Sequence, residues 1–264
     1  MKRKIEILVL SDLHLGSFGC RAEELLNYLR SVSPELVILN GDIIDIWAFN
    51  KKYFPKEHIR VVKKLLKWSA KLPVYYITGN HDEALRRYSP AQLGNLHLLD
   101  KLVLEIDGRS HWFFHGDIFD ATMKNAKWLA KLGGFGYDLL IRLNHWVNLA
   151  LRFFGRPRMS FSKRIKDSVK SAVNFISDFE TTMAEIALND GHQAVVCGHI
   201  HQPRISTIRT AHGTVDYLNS GDWIENLSAL EYTNKTWTLY KHEQREERVH
   251  DELVDADDLL FSAV

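Results

Sequence analysis

The stretch Ile5–Gly16, "IEILVLSDLHLG", joins an apolar run of strand length to Asp12 and His14. From Ile7 to Leu10 the run has no polar side, so it suits a strand covered on both faces, as in a sheet layered with helices. Leu36–Leu39, Val74–Ile77, Trp112–Phe114 and Ala194–Cys197 are runs of the same kind. Between the first two, "AEELLNYLRSV" spaces Leu25, Leu26, Leu29 and Val32 along one helical face. Between the next two, "EHIRVVKKLLKWSA" does the same with Ile59, Val62, Leu65, Leu66 and Ala70. Alternating strand and helix over this first part predicts an α/β layered fold.

Beyond Lys101 the pattern changes. "LVLEIDGRSHWFFHGD" predicts a hairpin turning at Asp107-Gly108. The runs "ISTI", "TVDYL", "LSALEY" and "TWTLY", between Arg204 and Tyr240, predict further short strands, and Phe161–Gly191 reads as one long helix. Two packed sheets with helices outside are expected.

The chain has 264 residues, 45% of them hydrophobic, enough for a sizeable core. Its formal net charge of +1 names no partner. Two separated cysteines, Cys20 and Cys197, predict no disulfide framework and suit a reducing cytoplasm. No apolar run is long enough to predict a transmembrane helix, and the opening "MKRKIEILVLSD" reaches Ser11 and Asp12 too soon for a secretory signal. Charge is uneven, however. Met123–Lys170 holds eleven Lys or Arg against Asp138 and Asp167, and Glu243–Asp258 holds eight acids against Arg245 and Arg248. The predicted organisation is one domain over 1–242, a basic helical insert at 123–165 within it, and an acidic tail at 243–264.

The chemistry follows the strands. Asp12 and His14 come after the first; "NGDIID" with Asp42 and Asp45 after the second; "GNHD" with Asn80, His81 and Asp82 after the third. "HGD" with His115 follows Phe114, and "GHIH" with His199 and His201 follows Cys197. Five strand ends each deliver oxygen or imidazole donors, and layered α/β sheets gather ligands outside the carboxyl ends of their strands. A set of carboxylate, amide and imidazole without thiolate suits manganese, iron or zinc.

This ordered set, D-x-H, G-D-x-x-D, G-N-H-D, H-G-D and G-H-x-H, resembles the signature of the calcineurin-like metallophosphoesterases. The resemblance runs from about Ile5 to Tyr240. It implies a four-layer α-β-β-α sandwich of two mixed sheets and two divalent metal ions, manganese first, with iron or zinc as alternatives. Asp12, His14 and His201 would hold one ion, and Asn80, His115 and His199 the other. Asp42 would bridge them, since two cations roughly 3.5–4 Å apart need an anion between them. His81 would stand over the substrate phosphate as acid or charge stabiliser, and Asp45 and Asp82 would orient ligand rings.

Chain length, the "FFHGD" entry and the insert further resemble UDP-2,3-diacylglucosamine pyrophosphatases, whose typical G-N-R-D is here "GNHD". That resemblance implies cleavage of a UDP-linked acylated glucosamine to UMP and a lipid monophosphate, in lipid A biosynthesis, at the inner face of the cytoplasmic membrane. The insert would then be a lid over the acyl chains. Trp146 and Phe154 are acyl-facing candidates there, and Arg142, Arg152, Arg156, Arg158, Lys163 and Arg164 headgroup candidates. The amphipathic insert equally fits a cap packed on its own protein; nucleic-acid contact through its basic and aromatic groups is the third and least favoured reading. The alternative functions are a general phosphodiesterase or phosphatase on soluble substrates and, last, a non-catalytic binding scaffold.

Overall fold

The computed structural model describes residues 2–48, 53–117 and 162–242, the side chains of 162–172 excepted. Strand β1 (Arg3–Leu10) leads through α1 (Ala22–Ser31) directly into β2 (Val32–Asn40), then α2 (Lys56–Ser69) and β3 (Val74–Ile77). A 3-10 turn (Glu83–Tyr88), β4 (Ala91–Leu93) and β5 (Leu96–Leu99) follow. The hairpin is β6 (Leu102–Ile106) and β7 (Arg109–Phe113), turning on Asp107 and Gly108, both with positive φ as such tight turns require. The long helix α3 (Ser162–Asn189) precedes β8 (Ala194–Cys197), β9 (Arg204–Thr210), β10 (Gly213–Asn219), β11 (Ser228–Thr233) and β12 (Thr236–Lys241).

The strands form two mixed sheets. One has seven strands in the order β12-β11-β1-β2-β3-β5-β4, with β1, β2, β3 and β5 parallel. The other has five in the order β6-β7-β8-β10-β9, with β7, β8 and β10 parallel. Side chains alternate across the central strands, whose two faces are both buried. Leu8, Leu10, Val37 and Leu39 meet α1 and α2 through Leu25, Leu29, Val61 and Leu65. Ile7, Val9, Ile38 and Ile77 turn the other way and meet Phe113, Ala194, Val196 and Leu218 of the second sheet. That sheet's outer face, with Trp112, Val195, Cys197 and Tyr217, is covered by Phe179, Met183, Ala184 and Ala187 of α3. The result is the four-layer α-β-β-α sandwich. Each fully buried Leu, Ile or Val contributes roughly 1.5–3 kcal/mol, which is why these central strands lack any polar face.

Two sequence expectations need correcting. The buried face of α2 is His58, Val61, Leu65 and Trp68, while Ile59 and Leu66 are exposed. His58 earns its buried place by accepting the Gly16 N–H at Nδ1, 2.9 Å away, so a polar residue defines the face. Val32 does not extend α1 but begins β2. The edge strands β4 and β5 carry no fully buried residue and gave no apolar run to read.

Candidate metal centre

The parallel strands of both sheets point their carboxyl ends the same way, and the loops leaving them meet there. The loops after β1 and β2 are zipped together. Asp12 N–H donates to Gly41 O, His14 N–H to Asp42 O, and Asp45 N–H to Leu15 O, at 2.9–3.0 Å. Asn40, the last residue of β2, reaches the second sheet, donating from Nδ2 to Phe114 O and Val196 O.

Asp12, His14 and His201 bring three donor atoms within 4.8 Å of one another, and Asp12, Asp42 and His115 do the same. His14 Nε2 and His201 Nε2 face each other at 3.4 Å, and His201 Nε2 is 3.1 Å from Asp12 Oδ1. That Oδ1 is sealed from solvent and accepts no well-aligned hydrogen bond. His115 Nδ1 donates to Asn40 O at 2.9 Å, since a carbonyl can only accept. The remaining ring nitrogen, Nε2, is the one turned toward Asp42 Oδ2, 3.2 Å away, and Asn80 Oδ1, 3.3 Å away. Asp42 divides its oxygens: Oδ1 accepts the His81 N–H at 2.8 Å, and Oδ2 lies between His115 and His14, whose Nε2 is 3.9 Å off. The His199 ring stands beside His115, ring centres 5.2 Å apart, and the His199 backbone N–H donates to Asp12 Oδ2.

So many electron-rich atoms turned on one another in a buried place need cations between them. Oxygen and imidazole donors around a shared carboxylate fit a pair of divalent ions. Protons fill that role for the bare chain. Burial would raise the Asp12 carboxyl, but His201, His115 and His14 outweigh it and hold it below the usual carboxylate range. Asp42 is likewise brought down to about 2, mostly by His115. Burial opposes charge on His201, yet Asp12 lifts it to about 9, and His115 is lifted well above its ordinary value by Asp42.

The backbone is bent to make this arrangement. Among the described residues nine non-glycines have positive φ, and five of them are Asp12, His14, Asp42, His199 and His201. Three of the other four sit at hairpin turns. A left-handed non-glycine costs roughly 1–2 kcal/mol, so this much strain concentrated in donor residues marks a functional site. Glycines make room for the donors. A Cβ on Gly41, at φ 85°, would sit 2.2 Å from His115 Nδ1; one on Gly198 would sit 2.5 Å from Asp12 Oδ2. Gly41→Ala is expected to displace the His115 ring and lower manganese affinity by more than tenfold, read by titration calorimetry.

Around the donors lies a ring of supporting groups. Asp45 Oδ1 is 3.1 Å from His81 Nδ1, Oδ2 is 3.6 Å from His14 Nδ1, and the carboxylate also accepts the Ala48 N–H. Burial would raise the Asp45 carboxyl, but these partners keep it ionised below the usual range. His81 is half-buried between Asp45 and Trp47, whose ring centre is 4.3 Å from its own. Burial opposes a charge on His81, and Asp45, Asp42 and Asp12 together raise its pKa. Asp82 departs from the expectation that it orients a ring. Its carboxylate accepts the N–H groups of Ile43 and Gly79 and the Tyr76 hydroxyl, so it staples two loops from behind. None of these three partners is a candidate ligand ring.

Sequence reading overlooked a sixth strand end. β10 closes on "NSGD", Asn219–Asp222, close to the "NGD" that ends β2. Asp222 lies behind His201, and Ser220 Oγ is 2.6 Å from Ser11 Oγ. The insert residues Arg142, Trp146, Arg152, Phe154, Arg156 and Arg158 fall outside the described residues, as do the side chains of Lys163 and Arg164. Among the described residues, no helix is long and apolar enough to cross a membrane.

Residues 5–203 match the family model described as calcineurin-like phosphoesterase. The chain is similar to the UDP-2,3-diacylglucosamine hydrolase of Aliivibrio fischeri, at 26% identity over 90% of this chain and 98% of the relative. It is also similar to the protein of that name from Stenotrophomonas maltophilia, at 25% over 88% and 96%. A solved phosphoesterase from E. coli aligns over 88% of this chain and 90% of its own, with 15% identity and a TM-score of 0.44.

Proposed function

This chain belongs to the calcineurin-like phosphoesterase family and is a phosphoester hydrolase; from that premise we propose that it cleaves the diphosphate of a UDP-linked, acylated glucosamine to UMP and a lipid monophosphate. The observation that carries the substrate is the alignment to UDP-2,3-diacylglucosamine hydrolases over nine-tenths of this chain and nearly all of the relative, well beyond the shared donor motifs. We assign the insert at 123–165 as the lid that selects the acylated half, and the tail at 243–264 as a separate segment. The active form works in the cytoplasm, at the membrane surface where its lipid resides.

In this reading Asp12, His14 and His201 would hold one divalent ion, Asn80, His115 and His199 would hold the other, and Asp42 would serve both. The metals would be manganese, or iron or zinc in its place. The chemistry such a pair supplies when bound is a strong oxygen nucleophile near neutral pH and neutralisation of phosphoryl charge. The chain itself supplies the rest. Asp45 orients His14 and His81 at once, and the charged His81 ring at the rim donates a proton to the leaving oxygen.

The test is incubation of the full chain with manganese and UDP-2,3-diacylglucosamine, with products read by mass spectrometry. UMP and the lipid monophosphate are expected. If UMP fails to appear at high enzyme concentration while bis-p-nitrophenyl phosphate is turned over, the lipid-linked substrate is wrong and the general phosphodiesterase reading, which His81 in place of arginine favours, replaces it.

A further inference from the structure

The loop after β10, Ser220–Leu227, belongs to neither sheet and carries none of the expected donors, yet it touches one half of the centre at three points. Trp223 N–H donates to Asp12 O at 3.1 Å. Asn226 Nδ2 donates to His201 O at 2.9 Å. Ser11, just before Asp12, bonds the Ser220 hydroxyl at 2.6 Å and donates to Gly221 O at 2.9 Å. Asp12 and His201 both hold left-handed backbones, φ 53° and 52°, the conformation that relaxes unless its surroundings over-determine it.

What stiffens the loop is one buried carboxylate. Asp222 has no solvent exposure, and its Oδ1 accepts the N–H groups of Ile224, Glu225 and Asn226. Its Oδ2 accepts the second amide hydrogen of Asn226. The Asn226 amide is thereby held from one side by Asp222 while it holds the His201 carbonyl with the other. Asp222 Oδ2 is 3.9 Å from His201 Nδ1, beyond hydrogen-bond reach, so the hydrogen-bonded link from this pair runs to the His201 backbone and Asp222 faces the ring only as a nearby charge. The other half of the centre has separate braces: Asn40 O on the His115 ring, and Asp82 on Gly79, beside Asn80.

The geometry points to Asn226 and Asp222 as positioning residues for the Asp12–His14–His201 half of the centre, setting the affinity of that half alone. This rests on the two-ion reading above. Groups that orient ligands typically change metal affinity by about 10–100-fold when removed.

The full chain, stripped of metal, is titrated with manganese by calorimetry and followed by electron paramagnetic resonance. The unmodified protein is expected to take up two ions and show the exchange-coupled signal of a manganese pair. Asn226→Ala should keep one ion at unchanged affinity, lose the second by about 10–100-fold, and show the six-line signal of an isolated ion. Glu225→Ala, which removes an exposed side chain and leaves its N–H bond to Asp222 intact, should behave as the unmodified protein. Two ions bound by Asn226→Ala with unchanged affinity would overturn the inference, as would equal weakening of both. Should that variant fail to fold, Asn226→Ser, too short to span both partners, is read the same way. Uptake of a single ion by the unmodified protein overturns the two-ion reading itself, and the positioning role with it.

Discussion

Asp42→Asn is expected to lower phosphodiester turnover by about 10³-fold or more. The carboxylate serves two directions at once: Oδ1 takes the His81 N–H and Oδ2 lies between the rings of His14 and His115. An asparagine keeps the shape and can satisfy only one side. If its oxygen stays on His81 N–H, its NH2 group faces whatever cations the rings hold. If it flips, the NH2 group confronts the N–H. Either way the negative charge that would lie between the two proposed dications is gone. Charge stabilisation of that kind is worth several kcal/mol, and each 1.4 kcal/mol or so is a factor of ten. Steady-state kinetics with manganese, together with metal content, reads the result. Activity within tenfold of the unmodified protein would remove Asp42 from the bridging position.

The second large effect is at His81. His81→Ala should lower kcat by roughly 10²–10⁴-fold, the usual worth of a positioned acid, while leaving manganese content unchanged, because its ring lies outside the set proposed to hold the ions. Its pH behaviour separates it from a merely structural ring. Asp45, Asp42 and Asp12 raise the His81 pKa above 6.5 against the opposing effect of burial. A raised histidine is charged below that raised value and loses its proton as pH climbs through it. Activity that needs the charged ring is therefore full on the acid side and falls on the alkaline side. Asp45→Asn removes the neighbour 3.1 Å away and should move that fall to lower pH. Bound cations push the same way in both proteins, so the comparison between them isolates Asp45. The fall should be missing from the residual activity of His81→Ala; an identical alkaline limb in that variant would assign it to another group.

Much of the fold was legible in the sequence because its central strands are buried on both faces. Ile7–Leu10 and Ala194–Cys197 cannot be anything but apolar, so the runs announce themselves and the polar residues after them stand out. The donors were legible for the same reason: each follows directly on a run. What stayed hidden is held by hydrogen bonds to backbone, which leave no residue pattern. Asp82 reads as one more acid of a ligand motif, yet its partners are the Tyr76 hydroxyl and the Ile43 and Gly79 N–H groups, which only the folded loops bring together. Asn226 donates to a carbonyl, a group every residue possesses. The face of α2 was misjudged by a fraction of a turn because His58 and Trp68 define it, and only the Gly16 N–H explains a buried histidine there.

The five contorted donor positions set activity against robustness. Aspartate and histidine are among the few side chains that tolerate this conformation, so the types able to grip a cation are also those best able to bear the contortion. Glycine would bear it more easily still and would grip nothing. Selecting descendants of this chain for heat resistance alone would therefore reward exchanges that silence it, and the hardiest survivors of such a screen would be catalytically mute.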